Sequence, residues 1–286
     1  MTMKKWITIG AWFLCFPFLG CSNVFEGMAD TTSDEALLED ARKFMNDQEW
    51  GSAIEKFEAL SDSKQQEEAV IQDWATAYAG RCGLEFIDYF VNLGSADLSS
   101  STIFNYLMNA WTGESVNPSD CALAQAKMEE ISIDPAERTS EQNLFMAILG
   151  MVKVGVYLRS NLDINGSDNA GDGTAELSAC TDTNSPGVDP LDDSELNQLI
   201  TGVGLISSNL DYLTEVLESG DITDSLTEFR DTCDSIGAPC ELTDASAVTD
   251  ANRDAFRDLL NTGSANPSAG VGVGSCVNAA VNLCCP

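Results

Sequence analysis

The 286-residue chain contains no histidine. That removes the most common general base and metal ligand of proteins, and with them Ser-His-Asp and Cys-His catalysis and every histidine-ligated zinc site. Basic residues are also scarce, 14 Lys and Arg against 46 Asp and Glu, for a formal net charge of -32. Nucleic acid is therefore excluded as a partner, because binding it rests on cations that neutralise phosphates. A chain this acidic is also a poor match for an anionic lipid surface. No glycine-rich phosphate loop follows a strand pattern, so nucleotide chemistry has no support. Carboxylates are so abundant that no pair stands out as an acid and base. Strand-like alternation is nowhere convincing, and no catalytic role is expected.

What is present begins at the N-terminus. Lys4 and Lys5 precede a run from Trp6 to Leu19 that is almost free of polar side chains. This is the basic region and apolar region of an export signal. The run is shorter than the ~20 residues that span a bilayer comfortably. A plain secretory signal or an uncleaved anchor would share these features, but the run ends in Phe18-Leu19-Gly20-Cys21. That segment resembles the lipobox of bacterial lipoproteins, although Phe18 stands where leucine is usual. The resemblance implies cleavage before Cys21, removing residues 1–20, and acylation of that cysteine. Several acyl chains, at about 0.8 kcal/mol per buried methylene, hold a domain on a membrane. Ser22 follows, and in lipoproteins of the enterobacterial type such a residue implies passage to the outer membrane. Residues 21–34 would form a short tether.

Beyond Cys21 the chain has Cys82, Cys121, Cys180, Cys233, Cys240, Cys276, Cys284 and Cys285. An even set in an exported protein is expected to form disulfides. On the order of a hundred pairings are open. Cys82 with Cys121 is the pairing expected, because they flank a helical stretch able to fold back on itself. The last three cysteines are expected to staple the tail, 263–286, to the region of Cys180, Cys233 and Cys240.

The fold class expected is all-α, built of helical hairpins with long acidic loops. Within 35–161, Ala36, Leu37, Ala41, Phe44 and Met45 recur at helical spacing. After the polar turn Asn46 to Gly51, so do Ala53, Ile54, Phe57 and Leu60. The series Ala41, Phe44, Trp50, Ala53, Phe57 resembles a tetratricopeptide repeat, although a generic helical hairpin carries the same spacing. A weaker second unit begins near Glu68, with Ala75 and Tyr78 in equivalent places. No third copy follows, whereas a solenoid needs about three. Further helices are predicted at Thr102 to Trp111, Ser119 to Ile131 with Ser119 as cap, and Ser140 to Leu158 capped near Thr139. The last is apolar on nearly every side, which suits the centre of a bundle. Its short apolar length and Lys153 argue against a membrane span. After a glycine-rich acidic loop at 162–194, the region 195–262 is predicted to hold helices at Glu195 to Leu217, Ser225 to Ser235 and Thr249 to Leu260.

One loop suits a hard cation. Asp163, Asn165, Ser167 and Asp168 are closely spaced oxygen ligands, with Asp172 following. Such a loop lets side chains converge on Ca2+, which takes about six to eight oxygens. The match to an EF-hand loop is incomplete, since Asp168 stands where glycine is expected and Thr174 where the bidentate glutamate belongs. Solvated loops share this composition. The function expected is that of an anchored protein-binding or assembly module, with a calcium-stabilised structural lipoprotein as the alternative.

Overall fold

A computed structural model describes residues 32–85, 102–164, 172, 174–175, 177–180, 191–216, 221–235, 240–263, 271–276, 280 and 283–285. Among the described residues the chain is all-α, with no strand and a single isolated bridge between Thr262 and Cys276.

Helix α1 (Asp34–Asn46) begins where the Ser33 hydroxyl accepts the Ala36 N–H at 3.3 Å, and Asp34 and Glu35 complement the positive end of the helix. A turn carrying Gln48 at φ 59° leads into α2 (Trp50–Glu58). Trp50 and Gly51 thus belong to the helix rather than to the turn. Ala41, Ala53 and Phe57 are fully buried between the paired helices. The Lys56 ammonium reaches Asp40 across the hairpin at 2.9 Å. After the short α3 (Asp62–Gln65), α4 (Glu68–Cys82) lays Trp74 between Phe57 and Tyr78, with ring centroids 5.9 and 6.3 Å apart. It stops at Gly83, whose φ of 131° an L side chain would strain.

Helices α5 (Ile103–Asn109) and α6 (Pro118–Glu129) follow. The latter starts at Pro118, one residue before the expected cap at Ser119. Proline fits the first helical position because its fixed φ is already helical and its missing N–H would have no partner there. Ser119 instead donates its hydroxyl to the Asn117 side chain at 2.9 Å.

The central element is α7 (Ser140–Leu162). It opens with a reciprocal cap, Thr139 accepting from the Gln142 N–H and Gln142 accepting from the Thr139 N–H. By length and composition it would cross a bilayer, yet its apolar surface is covered by α4, α5, α6 and two later helices, α8 (Asp193–Ser208) and α9 (Leu210–Val216). It is the core of the bundle. Glycines set how closely its neighbours approach. A Cβ on Gly150 would lie 2.6 Å from the Gly202 carbonyl oxygen of α8, and one on Gly155 would lie 2.6 Å from the Trp111 indole nitrogen and against the Leu107 carbonyl. Gly155→Ala is therefore expected to cost about 2 kcal/mol, since α5 must move away. A lowered urea midpoint at unchanged m-value would report it, and an unchanged midpoint would contradict the packing.

The single helix expected over Glu195 to Leu217 is two, α8 and α9, broken at Asn209. That side chain donates to the Leu205 carbonyl at 2.8 Å and accepts from the buried Arg138 guanidinium at 3.2 Å, so it serves a tertiary contact. Helix α10 (Asp221–Ser235) starts earlier than expected, and α11 (Asp250–Leu260) is capped by Thr249. Phe104 of α5 meets Phe229 of α10 and Phe256 of α11 edge-on, at 5.0 and 6.0 Å.

The cysteines pair as Cys82–Cys121, Cys180–Cys285, Cys233–Cys240 and Cys276–Cys284. The first joins the end of α4 to the start of α6, as expected. Of the bridges expected to staple the tail to the preceding region, only Cys180–Cys285 does so. Cys233–Cys240 and Cys276–Cys284 close short local loops, with sequence separations of 7 and 8. Loop closure costs least entropy over short separations, and the paired Cα atoms lie 6.0 and 5.5 Å apart.

Candidate functional site

The most developed concavity among the described residues is a groove of about 710 Å³, within the size range of ligand sites. Three helices supply its walls. Trp50 comes from the first turn of α2, Gly80 and Arg81 from the last turn of α4, and Tyr106 and Asn109 from the end of α5. Ala110, Trp111, Glu114 and Ser115 continue from α5, and Gly83 and Glu85 from the segment after α4.

Local sequence explains the placement. Gly80 has no side chain, so the Trp50 indole lies directly on the α4 backbone, 2.5 Å from where a Cβ would stand. Gly83 likewise leaves room for the Trp111 ring at 3.3 Å. Aromatic rings thus flank the groove from two sides, while Asn109, Ala110, Glu114 and Ser115 are exposed at its rim.

The charges in the groove are not alike. Arg81 makes a bidentate pair with Asp120, both bonds 2.7 Å, and the Asp120 carboxylate is buried. That hydrogen bonding holds the Arg81 guanidinium above its ordinary proton affinity. Its carbon also sits 5.4 Å over the Tyr78 ring. The one cation lining the groove among the described residues is therefore already balanced. Glu85 and Glu114 form no ion pair among the described residues and leave the rim negative. Burial pushes the Tyr106 phenol up, so it stays a neutral hydroxyl.

A second polar cluster lies inside the bundle. Lys153 of α7 is fully buried, and its ammonium donates to the Gln125 side-chain oxygen of α6 at 2.6 Å and the Thr201 hydroxyl of α8 at 2.7 Å. Gln125 in turn donates to Glu129 at 2.7 Å and to the Thr243 carbonyl at 2.9 Å. Desolvation lowers the Lys153 pKa to about 7, with Glu129 opposing it. This lysine does not line the groove.

In the expected cation loop, Asp163 is buried just past the end of α7, where its carboxylate accepts the Asp172 N–H at 2.9 Å. Asp172 accepts the Thr174 N–H at 3.0 Å. Asn165, Ser167 and Asp168 lie outside the described residues, as do the lipobox-like segment and Cys21. Among the described residues, no group of three or more Cys, Asp or Glu could hold a metal ion.

The groove escaped sequence reasoning. Trp50 reads as an aromatic of the hairpin, and nothing in the spacing relates it to Tyr106 or Trp111. The glycines at 80 and 83 beside Arg81 are the only local signal of a close approach.

Compared with known proteins, the chain matches no family model, no curated protein and no solved structure.

Proposed function

We propose that this chain is a lipoprotein of the cell envelope, held on the outer membrane by acyl chains at Cys21, and that it acts as a helical module for docking another protein. The observation that carries the docking reading is the groove itself, where the half-buried Trp50 and Tyr106 and the buried Trp111 line one concavity beside exposed polar residues. Aromatic side chains are enriched at the centres of protein interfaces, where they offer large contact area at little conformational cost. Support for the anchoring comes from the lipobox-like segment and an even set of paired cysteines, which suits an oxidising compartment. The strong negative charge speaks for a partner other than nucleic acid.

The test is a pull-down from detergent-solubilised envelope, comparing the wild-type chain with Ala110→Trp. Ala110 is exposed at the groove rim, so the new indole would fill the groove without entering the core. A reproducible partner recovered by the wild-type protein and lost with the variant is the expected result. Equal recovery by both would move the docking surface elsewhere, and recovery of nothing by either would reject it.

A further inference from the structure

We infer that the groove takes a Lys or Arg side chain from a basic segment of the partner protein, with the alkyl stem against the aromatic walls and the charge facing Glu85 and Glu114. The inference rests on the docking reading above and adds the chemistry of the occupant.

Three observations favour a cation. The groove's own arginine is neutralised in place by the buried Asp120, so it does not repel one. The two rim carboxylates are without an ion-pair partner among the described residues, which leaves the groove with unbalanced negative charge. The half-buried Trp50 and Tyr106 rings in the lining add an attraction for cations through their ring quadrupoles. The same rim repels phosphates and carboxylates. Basic side chains also suit the aromatic walls physically, because their methylene stems bury apolar surface while the charged head stays at the rim. The field of a chain at -32 would speed the encounter with a basic segment and make it sensitive to salt.

The measurement is fluorescence anisotropy on the mature soluble chain with three labelled probes: a basic peptide of alternating Arg and Leu, its Glu and Leu counterpart, and a neutral oligosaccharide. Binding of the basic peptide alone is expected. Glu85→Gln with Glu114→Gln should weaken it about fivefold to tenfold, as expected for loss of two rim charges. Asp224→Asn with Glu228→Gln removes the same charge from α10, away from the groove lining, and should change affinity less than twofold. Equal weakening by both pairs would mean general attraction to an acidic surface and overturn the inference, as would tighter binding of the acidic peptide or the oligosaccharide. If no probe binds while the pull-down still recovers a partner that Ala110→Trp loses, the cation assignment fails and the docking reading stands.

Discussion

Replacing Lys153 by methionine is expected to flatten the pH dependence of stability and to stabilise the protein most at the acid end. In the folded chain this lysine titrates near pH 7, against an ordinary value of 10.5, because burial disfavours its charge. Between those values the unfolded chain holds a proton that the folded chain has shed, so wild-type stability rises with pH across that window. Below about pH 7 both states are charged and the penalty stands in full. Each tenfold change in proton affinity is worth about 1.4 kcal/mol, which puts the penalty at roughly 5 kcal/mol. Methionine removes it, while leaving the Gln125 oxygen without its donor offsets about 1 to 3 kcal/mol of the gain. The slope is therefore the sharper readout than the absolute value. The window is clean: the described cysteines are bridged, and Tyr157 is pushed up to about 12 by burial. Urea unfolding at pH 6 and pH 9 should show the wild-type curve rising and the Lys153→Met curve nearly level. Parallel curves would mean that Lys153 keeps its proton in the folded chain throughout.

The second large effect concerns the tail. Cys180–Cys285 joins residues 105 apart, much the longest loop that any bridge closes here. By the chain-entropy account a loop of that length contributes roughly 5 kcal/mol. Its surroundings are ordered by the fold itself. Arg257 of α11 donates to the carbonyls of Ala179 and Leu191 at 3.1 and 2.8 Å, Asp258 accepts the Cys285 N–H at 2.7 Å, and Asn261 donates to the Cys284 carbonyl at 2.6 Å. The double variant Cys180→Ser, Cys285→Ser should therefore fold, with Cys276–Cys284 intact, but unfold at a much lower urea concentration. A loss under about 1 kcal/mol would mean that these hydrogen bonds already fix the tail in the unfolded ensemble.

The helices were legible because their signals are local. The Thr139 cap, and the all-round apolar character from Leu144 to Val156, lie within a few residues of what they specify. The break at Asn209 was not legible, because its reason is Arg138, 71 residues earlier in the chain. The helix pattern alone runs straight through it. For the same reason Cys82–Cys121 could be anticipated from a helix folding back, whereas nothing local in the sequence singles out the partners in the other three bridges. Lys153 was visible as a charge in an apolar run, but that it shares a cluster with Gln125 and Thr201 follows only from the packing of α6, α7 and α8. The groove is the extreme case. Trp50, Arg81 and Tyr106 come from three helices and Trp111 from the segment after α5, and only the glycine beside Arg81 hints that an indole rests on α4.

The most direct measurement is the intact mass of the protein purified from membranes, before and after alkylation without reductant. An N-terminus at Cys21 carrying acyl chains, with no alkylation of the eight later cysteines, is the result expected of an exported, anchored and oxidised helical module. A chain that still begins at Met1, is recovered from the soluble fraction and alkylates at those cysteines would contradict it.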